Sequence, residues 1–311
     1  MKIVLLATLA ALTLAYIIVW APYLKRASDT GAKSDRANKD PTFPAQVAIG
    51  FFTNFVDTLG IGSFATTSSI YKLLNVIPDD LIPGTMNVGH TLPAIVEAFI
   101  FVAVISVDFR TMVSMIVSAT AGAWLGAGTV SSWPTRKIQI GLGVSLCGAA
   151  LLMLSSELHM VPMGGNALGL SGTKFWVAVI ANFAFGALQQ LGIGLFAPCM
   201  IAVTILGMSP RASFPIMMGS CAFLMPFGSY RFIKNQRYSP KAAAGLSVGG
   251  VPAVFLAAYL VKSLPLGVVR WLVVFVVLYT ALSLLRSAAA GKAIKKTAGA
   301  AGAAGLNGAG S

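Results

Sequence analysis

The chain has 311 residues, of which 57% are hydrophobic and only 10% are charged. A soluble domain carries about 25% charged residues, so this composition excludes an ordinary soluble fold and indicates a membrane protein. The net charge of +13 would suggest nucleic-acid binding in a soluble protein. In a membrane protein, basic residues in cytoplasmic loops explain such a charge, and we expect no nucleic-acid partner.

The first predicted element is the apolar run Ile3–Trp20, which is long enough to cross a bilayer. Five basic residues follow it before residue 40. We therefore predict a retained transmembrane helix at 1–23 and a polar cytoplasmic linker at 24–44. Further apolar runs predict crossing helices at Val88–Val107, Met112–Val130, Ile138–Leu154, Ala212–Gly228, Ala242–Val261 and Val268–Leu285.

A Gly-Ile-Gly motif occurs at residues 60–62 and again at 192–194, an offset of 132 residues. The flanking sequences match at the same offset without a gap, which predicts transmembrane repeats at 45–156 and 174–286. A loop at 157–173 would join them, and an Ala/Gly-rich tail at 287–311 is predicted to be disordered. Matching pairs include Phe51 and Phe183, Leu59 and Leu191, Phe64 and Phe196, Pro78 and Pro210, and Pro83 and Pro215.

Each glycine motif divides a long apolar segment into two short ones. Val47–Leu59 would extend about 20 Å as a helix, which is too short to cross a hydrocarbon core of about 30 Å. Two half-helices that meet at the glycines fit better, as a re-entrant hairpin whose turn lies at membrane depth. The alternative is that each broken segment crosses the membrane once.

We therefore predict an all-α polytopic membrane protein with two repeats after the extra N-terminal helix. Each repeat would hold one re-entrant hairpin and about three transmembrane helices, and this odd number of crossings makes the repeats inverted. Arg136 and Lys137 then lie in the cytoplasm with the other basic clusters, as does the C-terminus. Single crossings would instead give parallel repeats, with Arg136 and Lys137 outside. The expected location is the plasma or inner membrane of the cell.

The residue after each glycine motif begins a new half-helix, whose first N–H groups have no partner within the helix. Together with the helix dipole they attract anions, and glycine lets the backbone approach a ligand closely. Close helix packing is the alternative explanation of such glycines. The predicted substrate-binding residues are Asn54, Gly60, Gly62, Ser63, Thr66, Thr67, Asn182, Gln189, Gln190, Gly192 and Gly194.

Three titratable residues in the apolar segments indicate ion coupling, because such groups are costly inside a membrane. Asp57 stands at the end of the first half-helix, where the dipole opposes a carboxylate, and its counterpart is the neutral Gln189. His90 and Glu97 share one stripe of the next helix with Asn87. We expect Asp57, His90 and Glu97 to couple transport to protons or sodium ions, with a structural hydrogen-bond network as the alternative.

No cofactor, metal site or enzyme activity is predicted. Cys147, Cys199 and Cys221 lie in apolar segments without metal-ligand spacing, and we interpret them as small core residues. The chain carries no phosphate-binding loop, zinc-protease motif or nucleophile elbow.

The segments Phe51–Pro83 and Phe183–Pro215, with their duplicated glycine motif, resemble the sulfite exporter (TauE/SafE-like) permease family over about residues 43–286. The first motif carries fewer glycines than is usual there, which makes the chain a divergent member. The resemblance implies a secondary transporter for a small, sulfur-containing anion such as sulfite or an organosulfonate. The alternatives are an intramembrane enzyme that uses His90 and Glu97, and a membrane assembly or sensor protein.

Overall fold

The computed structural model describes residues 2–29, 42–59, 62–158, 160, 165–192 and 194–260, together with residues 278, 282, 285 and 286. Helices dominate this part of the chain, as predicted. A short 3-10 turn, Asp79–Leu81, precedes the fourth helix. The helices are α1 (Lys2–Asp29), α2 (Phe43–Thr58), α3 (Ser63–Leu73), α4 (Ile82–Val104), α5 (Phe109–Val130), α6 (Thr135–Glu157), α7 (Gly172–Gln189), α8 (Phe196–Ile205), α9 (Pro210–Lys234) and α10 (Pro240–Leu260).

Five helices in the described residues are long and apolar enough to cross a membrane. Large apolar side chains cover their outer surface, including Tyr259, which is 86% exposed, and Val104, which is 77% exposed. A soluble protein rarely exposes apolar surface on this scale, so the chain has the character of a multi-pass membrane protein. The five segments are Lys2–Lys25, Asp79–Val104, Phe109–Val130, Arg211–Lys234 and Pro240–Tyr259.

The helix boundaries follow the predicted segments with some differences. The helix over Ile3–Trp20 continues to Asp29, and α4 begins at Ile82 because Pro83 suits the first turn of a helix. The predicted helix at 138–154 lies within α6. The predicted crossing at 268–285, most of the 24–44 linker and the C-terminal tail lie outside the described residues.

Each predicted broken segment folds as two helices that run antiparallel. The Tyr71 hydroxyl near the end of α3 donates a 2.8 Å hydrogen bond to Oε1 of Gln46 near the start of α2. In the second segment, a Cβ on Gly207, just after α8, would lie 3.7 Å from Nζ of Lys174 near the start of α7. The chain therefore turns back on itself between α2 and α3, and again between α7 and α8.

These two helix pairs pack against helices from the opposite half of the chain. Helix α2 lies against α10, where a Cβ on Gly50 would approach the Leu246 Cα to 2.5 Å. Helix α7 lies in the same way against α5, and a Cβ on Gly122 would overlap the Phe183 carbonyl oxygen. Glycine at these positions lets the helix backbones touch, as is common between membrane helices.

Helices α4 and α9 form the centre of the fold and run antiparallel. Gly84 at the start of α4 packs against Phe232 near the end of α9. At the other end of the pair, the rings of Phe101 and Phe214 stack with centroids 5.4 Å apart. Helices α4 and α9 occupy corresponding places in the two halves of the sequence, yet they run in opposite directions.

By contrast, α2 runs parallel to α4. Asn54 contacts His90, and one turn later Thr58 contacts Glu97. Helices α7 and α9 are also parallel, because Asn182 bonds to Ser220 and the later Gln190 lies against Gly228. For α2 and α4 to be parallel, the intervening helix α3 must run in the opposite direction. The same holds for α8, which lies between α7 and α9.

The glycine seam between α5 and α7 gives a first prediction, for Gly122→Ala. Its new methyl group would overlap the Phe183 carbonyl oxygen, and such overpacking costs about 1–3 kcal/mol. Gly148 in α6 is the control, because a Cβ there meets no atom of the described part of the chain within 4 Å. Alanine is the better helix former by roughly 1 kcal/mol, so Gly148→Ala should be neutral or stabilising. Thermal unfolding in detergent compares the variants, and equal melting temperatures would contradict the tight seam.

Candidate functional site

The first turn is fixed by a hydrogen bond from its exit back to its entrance. Oδ1 of Asp57, in the last turn of α2, accepts a 2.9 Å hydrogen bond from the backbone N–H of Ser63, the first residue of α3. The sequence predicted that Asp57 faces an unfavourable dipole at the end of α2. In the structure its carboxylate also meets the start of α3, where the dipole favours a negative charge.

The second turn repeats this arrangement with an amide in place of the carboxylate. Oε1 of Gln189 accepts a 3.1 Å hydrogen bond from the N–H of Leu195, immediately before α8. Gln189 and Leu195 stand 132 residues after Asp57 and Ser63. The same cap is therefore present at both turns, negatively charged in the first and neutral in the second.

The glycines of the turns have backbone angles that other residues rarely adopt. Gly62, Gly192 and Gly194 have φ values of 94°, 99° and 76°, in the region that glycine alone enters without strain. A Cβ on Gly192 would also lie 2.7 Å from a Leu142 methyl carbon, whereas a Cβ on Gly62 would meet no atom of the described residues within 4 Å. Gly60 lies outside the described residues.

The two turns are close neighbours, although they are far apart in sequence. A Cβ on Gly194 would lie 3.6 Å from the Phe64 Cβ, and a Cβ on Gly192 would lie 3.8 Å from the Ser68 hydroxyl. Phe64 and Ser68 belong to the first turns of α3. The second glycine turn therefore packs against the start of the half-helix that follows the first.

Around the second turn, several buried polar atoms have no hydrogen-bond partner among the described residues. Gln189 Nε2 is such a donor, and its side chain is completely buried beside the start of α8. The oxygens Gln190 Oε1 and Asn182 Oδ1 are also unpaired. The Cys221 thiol lies 3.6 Å from Gln189 Oε1. An unpaired buried donor is unfavourable unless a ligand or a water molecule accepts its hydrogen bond, which makes Gln189 Nε2 a candidate ligand donor.

Two buried acids lie next to the first turn. Glu97 Oε1 is 2.7 Å from the Thr58 hydroxyl, while Oε2 has no partner in the described residues. Asp57 precedes Thr58 in the chain, so the two acids lie near each other. Cys221 of α9 lies near both acids and contacts Gln189 of the second half.

His90 is held by a separate set of hydrogen bonds. Its Nδ1 lies 2.9 Å from Asn54 Oδ1, and its Nε2 lies 2.9 Å from the Thr67 hydroxyl. The Asn54 amide nitrogen donates to the Gly50 carbonyl oxygen, which leaves Oδ1 to accept. Nδ1 of His90 must then carry a hydrogen, whereas Nε2 can accept one from the Thr67 hydroxyl, and burial of the ring favours this neutral form.

Other predicted binding residues serve the fold as well as the turns. The Thr66 hydroxyl bonds back to the carbonyl oxygens of Gly62 and Ser63, within its own helix. Asn182 ties α7 to α5 and α9 through the Met115 carbonyl oxygen and the Ser220 hydroxyl. The Gln190 amide nitrogen donates to the Gly186 carbonyl oxygen within α7.

The sequence did not single out Thr58 or assign Cys221 a polar contact, yet both touch predicted residues. Thr58 lies four residues after Asn54, a spacing that shares a helix face. For Cys221, which was interpreted as a core residue, the sequence gave no such signal. No group of three or more His, Cys, Asp or Glu side chains in the described part of the chain is placed to hold a metal ion.

Comparisons with known proteins found no similar protein. No family model, curated protein or solved structure matches the chain. The geometry of the two turns and the sequence motif therefore carry the functional argument.

Proposed function

We propose that this protein is a secondary transporter for a small anion, with α2–α3 and α7–α8 acting as re-entrant hairpins. The observation that carries the proposal is the second glycine turn. There the buried Nε2 of Gln189 has no partner among the described residues, beside a helix start that already favours negative charge. Glycine-broken helices in matched halves are typical of transporter binding sites.

Two features support hairpins that lie within the membrane. Helix α2 is parallel to α4 and α7 is parallel to α9, which requires α3 and α8 to return toward the side from which α2 and α7 entered. The hairpins also carry apolar residues suited to lipid, because Phe52 on α2 is 47% exposed and Ile180 on α7 is 68% exposed. Irregular backbone at such depth is tolerated where protein or a water-filled cavity surrounds it.

The antiparallel packing of α4 and α9 supports an inverted repeat. If the repeats were parallel, these corresponding helices would cross the membrane in the same direction. The inverted arrangement gathers most loop cations on one side, which we propose is the cytoplasm. The C-terminus is assigned to the same side, in a plasma or inner membrane. The cations at this side include Lys25, Lys72, Arg136, Lys137, Arg231, Lys234, Arg237 and Lys241.

The second turn suits an anion better than the first. At the first turn, the Asp57 carboxylate already occupies the Ser63 N–H, and an anion would be repelled there. At the second turn, neutral Gln189 fills the equivalent place and keeps an N–H donor for a ligand. We propose that the anion is held there by uncharged donors and the start of α8, with Gly192 and Gly194 giving close approach.

The substrate class that we propose is a sulfur-containing oxyanion, sulfite or an organosulfonate, because the duplicated motif resembles that of sulfite exporters. Gln189 Nε2 and the backbone N–H groups that begin α8 are uncharged donors, which suit the several acceptor oxygens of an oxyanion. The enzyme alternative is disfavoured, since both ring nitrogens of His90 are hydrogen-bonded and its described partners do not include Glu97.

A ligand screen and a transport assay test this proposal. A ligand that binds only the folded protein raises its melting temperature. We expect methanesulfonate or sulfite to stabilise the purified protein more than chloride, acetate or phosphate at equal ionic strength. In liposomes, the protein should exchange labelled sulfonate across the membrane, whereas protein-free liposomes should not. If no tested anion stabilises the protein or crosses the membrane, the transporter proposal is wrong.

Cysteine labelling is expected to show the two hairpins entering from opposite sides. Asn75, after α3, and Arg211, after α8, are exposed at the openings of the hairpins. In a background without the three native cysteines, an impermeant thiol reagent should reach Asn75→Cys from the cytoplasmic side and Arg211→Cys from the opposite side. Labelling of both positions from the same side would show that each broken segment crosses the membrane once and does not form an inverted hairpin.

A further inference from the structure

Each acid near the turns occurs in only one of the two halves. At the offset of 132, the counterparts of Asp57, Thr58 and Glu97 are Gln189, Gln190 and Ser229. The first half thus places two carboxyl groups where the second half has neutral polar groups. The asymmetry indicates different ligands in the two halves.

The hydrogen bonds of Thr58 leave room for a proton on Glu97. The Thr58 hydroxyl lies 2.9 Å from the Asn54 carbonyl oxygen and 2.7 Å from Glu97 Oε1. A hydroxyl has one hydrogen and can satisfy only one of these two acceptors. When that hydrogen goes to Asn54, the contact with Glu97 requires a hydrogen supplied by the carboxyl group itself.

The surroundings of Glu97 also favour its neutral form. The side chain is completely buried, and Oε2 has no partner in the described structure. The titratable groups that face it are Asp57 on α2 and Cys221 on α9, with Cys199 of α8 next to Cys221. His90, earlier on α4, is buried, which favours its neutral form. No described cation pairs with Glu97, and an unpaired buried carboxylate is very costly.

From this geometry, and resting on the proposed anion transport, we propose that Glu97 carries the coupled proton and that the anion and proton travel together. Asp57 is then a positioning residue, since its carboxylate holds the first turn through Ser63. An ionised Glu97 would repel an anion at Gln189, and a protonated one would not. After the site opens on the other side, the anion leaves, and the Glu97 proton passes to water there.

Infrared spectroscopy locates the proton without requiring transport. A protonated carboxyl group has a C=O stretching band distinct from that of carboxylates. We expect this band in the wild type at neutral pH, its loss in Glu97→Gln, and its retention in Asp57→Asn and in the control Asp108→Asn. Asp108 is an exposed acid at the start of α5, and asparagine caps a helix equally well. A band that persists in Glu97→Gln overturns the proposal.

Calorimetry then tests the coupling with methanesulfonate, whose charge is constant over the pH range. For one coupled proton, the wild-type affinity should be constant at neutral pH, where Glu97 is protonated, and should fall by at most about tenfold per pH unit as the pH rises through the range in which Glu97 loses its proton. Glu97→Gln should bind with a constant affinity, and Asp108→Asn should behave as the wild type. If Glu97→Gln keeps the pH dependence, or the wild type lacks it, the coupling role is wrong. If the wild type does not bind methanesulfonate at any pH, the proposed substrate class fails instead, and the infrared band still decides where the proton lies.

Discussion

Gln189→Glu should lower anion affinity by about 10- to 150-fold or more, while the protein still folds. The substitution is nearly isosteric, and the new carboxylate can still accept the hydrogen bond from Leu195. It removes the Nε2 donor, and a hydrogen bond to a charged group contributes about 1.5–3 kcal/mol, where about 1.4 kcal/mol is tenfold in affinity. The added negative charge repels the anion further. Calorimetric titration with methanesulfonate measures the loss.

Gln236→Glu is the control for the change in net charge. Gln236 is exposed in the loop after α9, so the same charge is added far from the turn. Its affinity and its melting temperature should equal those of the wild type, whereas burial of the new carboxyl group should lower the melting temperature of Gln189→Glu. If Gln189→Glu binds the anion as the wild type does, the second turn is not part of the binding site.

Gly194→Leu should abolish anion binding and transport. Gly194 has a φ of 76°, which costs a residue with a Cβ roughly 1–2 kcal/mol. Its side chain would also extend from the turn next to Phe64, into the space that we assign to the anion. The two effects separate in experiment, because backbone strain lowers the melting temperature whereas steric blocking removes ligand binding.

Gly207→Leu controls for the backbone strain. Gly207 has a φ of 100° but lies after the end of α8, away from the glycine turn. Both leucine variants should lose stability, and only Gly194→Leu should lose methanesulfonate binding in calorimetry. If both bind normally, Gly194 serves the shape of the turn alone.

Much of the fold could be predicted because hydrophobic length and glycine position are local properties. The lengths of Val47–Leu59 and Val177–Leu191 required a break, and the chain does turn between Thr58 and Ser63 and between Gln189 and Phe196. The packing of α2 on α10 and of α7 on α5 could not be predicted in this way. Such contacts depend on which helices meet in space, and the sequence of one helix does not state its partner.

The candidate site was predictable in its residue types but not in its pairings. Helical spacing placed His90 and Glu97 on one stripe, yet it could not show that Asn54 and Thr67 bind the histidine while Thr58 binds the acid. The role of Asp57 depended on the shape of the turn. Only that shape brings the Ser63 N–H to its carboxylate and gives it a favourable dipole.

The exchange of packing partners between the halves has a consequence for biosynthesis. Helix α2 is made early, but its face around Gly50 is covered by α10, which leaves the ribosome late. Its buried polar residues Thr53 and Asn54 must meanwhile remain next to the insertion machinery or water. The N-terminal half therefore cannot complete its own structure before α10 has been made and has entered the membrane.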